Sequence, residues 1–471
     1  MSGTLPAALA ERGHEVVVVT PRYATVSRQG LYFRGTLWLH FPYGAQWAEI
    51  WEAEVSRNVR TLFICQPEYF ERDGFYSDKG VEYADNHRRF AFFSMAALSA
   101  AHMLGVCPHI VHLNEWQTCL AALALRRGYE STQLGRAKTL LTIHNLAYQG
   151  TFPSWAVNEL GLPWELFSPE GFEFWGQLSF LKTGLVFADA LSTVSPRYAR
   201  EIQTAEFGFG LEGMFQKRAL SLRGILNGID DKVWNPADDV HLSAPYASYS
   251  KEDLSGKEAC SQALLEQFGL SSAPRRPPIF GTVGRMVEQK GVDLVLQAIP
   301  LLAEAGARIV VVGTGERRFE EAFKAMAQRF PGKVGVFIGF DEALSHRVEA
   351  GSDFFMMPSK FEPCGLNQLY SLRYGAIPVV RAVGGLEDSI KDTGGEAGDE
   401  VSTGLKFGEF SLEAFWAALQ RALALFEKPE ALKAFRKRAM SEDFSWGHAA
   451  GEYEALYQSL LDVDSASHHP G

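Results

Sequence analysis

From residue 278 to residue 380 the chain alternates apolar runs with amphipathic stretches, with five apolar runs in all. PIFGTVG, RIVVVGTG, KVGVFIGF, DFFMMPS and AIPVV are continuously apolar rather than alternating, as strands buried on both faces are. Between them GVDLVLQAIPLLAEAG, RRFEEAFKAMAQRF, EALSHRVEAG and a short helix from about Gly365 carry helical spacing. Buried strands joined by helices have one favoured arrangement, a doubly wound parallel sheet covered on both faces. Ligands of such sheets bind outside the carboxyl ends of the strands. The polar residues at those ends are therefore the candidates for chemistry.

The first half repeats the pattern less evenly. MSGTLPAALAERG reads as a helix and HEVVVVTP as a buried strand, followed over 32–64 by short, antiparallel-leaning strands. A helix, DNHRRFAFFSMAALSAAHML, precedes the strand HIVHLNEW, the helix TCLAALALRRG and the strand AKTLLTIHN. Residues 155–180 are aromatic and irregular, like a cleft lining; strand ALSTVS, helices PRYAREI and LEGMFQKRA and strand RGILNGID close the half. A polar excursion over 232–278, ending in SSAPRRPP, has the composition of a boundary. The expected class is α/β, with two Rossmann-like doubly wound domains facing across a cleft. Their expected extents are 1–228 and 229–440, followed by a last segment over 441–471.

Length and composition agree with this. A chain of 471 residues is long for one domain. The formal charge of −11 speaks against a nucleic-acid partner, which needs a clustered basic face. The five cysteines are odd in number and form no CxxC pair, so neither a disulfide framework nor a zinc site is expected. No run approaches 18 apolar residues and no signal-peptide pattern opens the chain, so no membrane span is expected and the cytoplasm is the expected home.

Residues able to carry chemistry gather at strand ends. Arg285 and Lys290 in GRMVEQKG flank a loop whose glycines, Gly281, Gly284 and Gly291, permit close backbone approach; they suit a diphosphate, or are two solvated cations. Gly313 in VVVGTGE either approaches a nucleotide or makes an ordinary turn. Asn227, before Gly228, sits in a turn where the two halves meet. His144 and Asn145 end one strand, and His112, Glu115 and Gln117 end its neighbour, so polar groups converge there. In MMPSKFEPCGLNQLY a carboxylate, Glu362, precedes a helix N-terminus at Gly365 that suits a phosphate, which points to a phosphate beside a neutral group such as a sugar. Cys364 in the same loop either lines the site or is a buried thiol.

With TIHNLAYQG, GRMVEQKG, PSKFEPCGLNQLYSLRYG and VGGLEDS in view, together with LNGID, FLKTG, TVSPRYAREI and DFSW, the chain resembles the bacterial glycogen synthase and plant starch synthase family over nearly its whole length. The resemblance implies a GT-B fold and retaining transfer of glucose from ADP-glucose to the non-reducing end of an α-1,4-glucan. It implies no cofactor, no metal, no nucleic acid and no membrane. It implies catalytic roles for Arg285 and Lys290 on the diphosphate, for Glu362 beside the transferred glucose, and for His144 as its hydrogen-bond partner. Glu115, Asn145, Asn227, Gly313, Cys364, Gly365 and Leu366 are implied in binding, with Phe340 where the family packs a tyrosine on adenine.

Three departures stand out. Asn114-Glu115-Trp116-Gln117 replaces the family's H-D-W-H or N-D-W-H, which bears on the acceptor side. Tyr370 stands where more distant retaining transferases carry a second Glu, as in the synthases themselves. The family also opens with a buried strand and a K-T-G-G-L loop, whereas this chain opens at MSGTLPAAL. The expectation is a parallel sheet lacking that first strand and a donor site lacking that lysine. The alternative to the synthase is thus a catalytically impaired glucan- or nucleotide-binding relic.

Overall fold

The structure is a computed structural model that describes residues 3–78, 80–272, 275–394 and 400–466. Met1 and Ser2 of the opening helix pattern, Ala273 and Pro274 of SSAPRRPP, and the tail after 466 lie outside the described residues. The chain divides into two compact units. Unit 1 comprises the chain up to Val194, Ala199–Ile225 and the stretch from Trp446; unit 2 comprises Ser195–Tyr198 and Leu226–Ser445.

Unit 1 begins with α1 (Leu5–Glu11), β1 (Val16–Pro21), β2 (Tyr32–Phe41), β3 (Gly44–Ser56) and β4 (Val59–Cys65). These strands form a mixed sheet in the order β1-β4-β3-β2, with β1 parallel to β4 and the other pairs antiparallel. The strands over 32–64 are thus longer than the sequence suggests, and both ladders among them are antiparallel as expected; the parallel ladder is the one that β1 makes with β4. Alternation along β3 buries Ala48 and Ile50 against α2 (Asn86–Met103), whose Phe92, Phe93 and Ala96 complete a core.

The second sheet of unit 1 is fully parallel. Its strands β5 (Ile110–Asn114), β6 (Lys138–Ile143), β10 (Ala190–Thr193) and β11 (Leu222–Gly224) run in the order β11-β10-β6-β5. Helix α3 (Leu120–Arg127) follows β5. Among the described residues β1 and β5 each end their sheet. The stretch after residue 150 is not irregular. It folds into β7 (Thr151–Pro153), β8 (Glu173–Phe174) and β9 (Gln177–Ser179), a small antiparallel sheet leading into α4 (Phe180–Phe187). Strands of two or three residues are too short to show a period, which is why the pattern conceals them. Of RGILNGID only Arg223 and Gly224 belong to the strand, which begins at Leu222. The last helix, Trp446–Ala466, buries Trp446, Ala449, Ala450 and Tyr453 against Leu5, Leu9 and Leu140.

Unit 2 contains α5 (Ser255–Gln267) and then β12 (Ile279–Met286), α6 (Val292–Glu304), β13 (Arg308–Gly315), α7 (Arg317–Arg329), β14 (Val334–Ile338), α8 (Glu342–Gly351), β15 (Phe354–Met357), α9 (Asn367–Tyr374), β16 (Ile377–Arg381), α10 (Gly384–Ser389) and β17 (Leu405–Phe407). The six strands are all parallel, in the order β14-β13-β12-β15-β16-β17. This is the doubly wound arrangement, with its strand order reversing between β12 and β15. Ile309, Val310, Val311 and Val312 of β13 are all buried, so the strand is covered on both faces as its unbroken apolar run requires. Helices α11 (Leu412–Phe426) and α12 (Pro429–Ala439) complete the unit.

The polar excursion over 232–278 is not a linker. Tyr246, Tyr249, Cys260 and Leu264 lie in the core of unit 2, and Tyr249 Oη donates to the Tyr374 carbonyl at 2.8 Å. A segment spread over a domain surface has polar composition without being a boundary.

Candidate functional site

In unit 2 the end of β12, the loops after β12 and β15 and the start of α9 converge where the strand order reverses. They enclose a cavity of about 230 Å³ lined by Gly284, Arg285, Lys290, Ser359 and Asn367, among others. The loops are tied by the backbone, since Lys360 N–H donates to the Gln289 carbonyl at 2.9 Å. Lys290 Nζ then reaches Glu362 Oε2 at 2.6 Å, and Ser359 Oγ donates to the same oxygen at 3.0 Å. Glu362 is 4% exposed, so this carboxylate depends on its two partners. Arg285 is exposed at the cavity and carries no ion pair among the described residues. One cation is thus occupied by a carboxylate, and the other is free to meet an anion.

The Glu362 loop is shaped by a glycine contact. A β-carbon at Gly384 would lie 2.0 Å from the Glu362 carbonyl oxygen, and Gly385 N–H donates to that oxygen at 3.0 Å. The sequence VGG after β16 is therefore what lets the carboxylate loop close. Asn367, the first residue of α9, donates from Nδ2 to the Val283 carbonyl at 2.5 Å and so fixes the helix start against the end of β12. Leu366 caps α9 at 38% exposure, and Gly365 precedes it in the left-handed region at φ +71°.

The remaining unit 2 candidates are placed nearby or inward. Gly313 pairs with Gly284 across the β12–β13 ladder, where a β-carbon would meet the Gly284 carbonyl at 1.9 Å. Gly339 N–H donates to the Gly313 carbonyl at 2.9 Å, which brings the next residue, Phe340, to the same edge with 86% of its surface exposed. Cys364 is buried, its thiol pushed up to about 12 by that burial, and it accepts a hydrogen bond from the backbone of Asn227. Asn227 Oδ1 is itself buried without a partner. Ser359 and Asn367 escaped the sequence reading, although the Ser-x-x-Glu spacing in SKFE placed the hydroxyl one turn from the carboxylate.

Unit 1 holds a second polar group, organised by Glu115. This residue takes φ +62°, an unusual conformation for a glutamate, which turns its side chain across to the end of β6. There Oε1 accepts from the backbone N–H groups of His144 and Asn145, the latter at 2.9 Å. His144 Nε2 lies 3.0 Å from Asn114 Oδ1. Burial holds His144 down to about 4, so at neutral pH it is an uncharged imidazole suited to hydrogen bonding a hydroxyl. His112 points elsewhere: Nδ1 meets Tyr457 Oη at 2.8 Å and Nε2 meets Thr142 Oγ1 at 2.6 Å. It joins β5 to the last helix rather than entering the group at the strand end.

Burial raises the Glu115 carboxyl from 4.5 to about 7 against the two backbone hydrogen bonds. A carboxyl raised in this way favours folding below its unfolded value, and that advantage is lost as pH rises through the folded value. Glu115→Gln keeps the acceptor without the charge. The variant is therefore expected to gain on the parent between about pH 5 and pH 8, by on the order of 3 kcal/mol at the upper end. Hydrogen exchange of 138–149 measured across that range checks this; a gap between the two proteins that does not change with pH would count against it.

Among the described residues no three His, Cys, Asp or Glu side chains gather as metal ligands, and no helix is long and apolar enough to cross a membrane.

The doubly wound sheet of unit 2 thus gathers glycines, two cations and a buried carboxylate at the carboxyl ends of its strands. The fold is that of a GT-B glycosyltransferase, as known proteins confirm. Residues 266–439 match the family described as glycosyl transferases group 1, and residues 1–217 match the starch synthase catalytic domain. Glycogen synthase of Myxococcus xanthus (strain DK1622) is 50% identical over 465 residues, covering 98% of this chain and 95% of that protein. Glycogen synthase of Anaeromyxobacter dehalogenans (strain 2CP-C) is 47% identical over 465 residues, with the same two coverages. The catalytic domain of starch synthase IV from Arabidopsis thaliana, solved with ADP and acarbose, has a TM-score of 0.88 at 34% identity, covering 97% of this chain and 94% of that one. Sucrose-phosphate synthase from Thermosynechococcus elongatus, at 18% identity and a TM-score of 0.60 over 98% of this chain and 92% of its own, shares the fold. The chain belongs to the glycogen and starch synthase family and is a glucosyltransferase. Neither the fold nor the comparisons lend support to the impaired relic.

Proposed function

We propose that the chain transfers glucose from ADP-glucose to the 4-hydroxyl at the non-reducing end of an α-1,4-glucan, with retention, without a metal or cofactor, in the cytoplasm. The observation that carries this reading is the cavity in unit 2, lined by Lys290, which pairs with Glu362, and by Arg285, which carries no ion pair among the described residues. In this reading Arg285 and Lys290 hold the diphosphate and stabilise the charge that develops as ADP departs. Glu362 faces the transferred glucose, Gly365 and Leu366 offer backbone N–H groups from the start of α9, and Phe340 packs on adenine. Asn227, Gly313 and Cys364 shape the surrounding walls. In unit 1, His144 hydrogen-bonds a glucose hydroxyl, with Glu115 and Asn145 setting its loop.

The bond from glucose C1 to the diphosphate oxygen breaks and a bond from C1 to the glucan oxygen forms on the same face. The hydroxyl proton passes to the departing diphosphate. Because Glu362 is held by Lys290 and Ser359, it serves as a ligand of the oxocarbenium-like sugar rather than as a nucleophile. The test is transfer of labelled glucose from ADP-glucose to glycogen: incorporation into α-1,4 linkages is expected, and its absence would overturn the reading. Competition by UDP-glucose in the same assay reports donor choice.

A further inference from the structure

Among the described residues four non-glycine residues adopt positive φ: Asn58, Glu115, Trp175 and Phe209. Asparagine tolerates this region, and Glu115 belongs to the group already described. Trp175 at φ +52° and Phe209 at φ +48° are bulky aromatics for which it is strained, and strain of this kind persists where a site requires it.

The two are neighbours. Trp175 and Gly176 form the tip of the β8–β9 hairpin, where Glu173 Oε1 accepts from Gly176 N–H at 2.6 Å. A β-carbon on Gly210 would lie 3.4 Å from Trp175 Nε1, so the Phe209-Gly210 turn sits against the indole. Gln149, on the loop that begins with His144, donates from Nε2 to the Phe209 carbonyl at 3.1 Å. Despite these attachments Trp175 is 82% exposed and Phe209 41%. The backbone is held in unfavourable conformations to present two rings to solvent, which core packing does not explain.

We propose that Trp175 and Phe209 form a stacking platform for the glucan acceptor. The rings receive the apolar faces of successive glucose units, while Gln149 and Glu173 at the ring edges meet the hydroxyls. An aromatic face with hydrogen-bonding groups at its rim suits a sugar, apolar on its faces and polar around its edge. The attachment to the His144 loop joins this platform to the polar group of unit 1. The identity of the sugar rests on the proposed function.

The experiment uses the full chain and two kinds of variant. Trp175→Gly removes the ring and relieves the backbone, so its melting temperature is expected to equal or exceed that of the parent. Its KM for maltoheptaose is expected to rise about tenfold, with kcat and KM for ADP-glucose changed less than about twofold. Quenching of tryptophan fluorescence by maltoheptaose is expected to shrink, and Trp175→Phe to recover most of the affinity. An unchanged maltoheptaose KM and calorimetric affinity in Trp175→Gly would overturn the platform, whatever the transferase activity. If the parent binds maltoheptaose through Trp175 but transfers no glucose, the platform stands and the proposed function falls.

Discussion

Lys290→Ala is expected to lower turnover about a hundred- to a thousandfold, the usual cost of deleting one group that stabilises charge developing in a transition state. The argument combines geometry with chemistry. Lys290 lines the cavity with Arg285, and its ammonium sits 2.6 Å from Glu362. A departing diphosphate competes with Glu362 for that ammonium, so the cation is positioned before the reaction begins. Alanine removes it and also leaves Glu362, 4% exposed, with Ser359 as its remaining side-chain donor. The second effect is a folding cost. The rates must therefore be compared at a temperature where thermal melting shows both proteins folded. Lys290→Arg, which keeps the charge, is expected to retain more activity than alanine. Initial rates of glucose transfer to glycogen check the prediction, and a Lys290→Ala rate within tenfold of the parent would remove the assignment.

The second half of the chain was legible because its strands are continuous and its helices long. Apolar runs such as RIVVVGTG admit one environment, burial on both faces, and β13 has it. The pairing of Lys290 with Glu362 was legible only as a juxtaposition of two strand-end loops. Nothing in the local pattern says that 72 residues of separation close to hydrogen-bonding distance. The β8–β9 hairpin was hidden for a different reason, since its strands are shorter than the period that would reveal them. Trp175 and Phe209 each precede a glycine, a hairpin and turn signal that aromatic composition overshadowed. His112 misled because a strand-end histidine looks the same in sequence whether it meets substrate or, as here, Thr142 and Tyr457. Its second partner lies 345 residues away, beyond any local signal.

Asp353→Ala is expected to destabilise unit 2 by about 3 kcal/mol, because it removes the buried counter-charge shared by two half-buried arginines, of which Arg276 keeps its ion pair with Glu258. Asp353 has no exposed surface and stands just before β15, the strand that delivers the Glu362 loop. Its Oδ2 accepts from Arg276 at 2.8 Å and from Ile279 N–H at 2.9 Å, while Oδ1 accepts from Arg276 at 3.0 Å and from Arg436. One carboxylate thus joins the RRPP segment, the start of β12, the start of β15 and helix α12. Burial alone would raise this carboxyl; Arg276 and Arg436 outweigh it and hold the group below its usual 3.8. A lowered carboxyl contributes stability that is present above the unfolded value and lost as pH falls through the folded one. The difference between parent and variant is therefore expected to be full at neutral pH and to narrow below about pH 4. Because two units rarely unfold in one step, hydrogen exchange by segment is the suitable measurement, with the β6 segment of unit 1 as internal reference. Protection of 279–286 and 354–357 is expected to fall while that of 138–143 holds. Equal protection of the unit 2 strands in parent and variant would show that the carboxylate does not anchor them. The prediction also separates folding from chemistry: Asp353→Ala should lose activity as unit 2 opens, whereas Lys290→Ala should lose it with the unit closed.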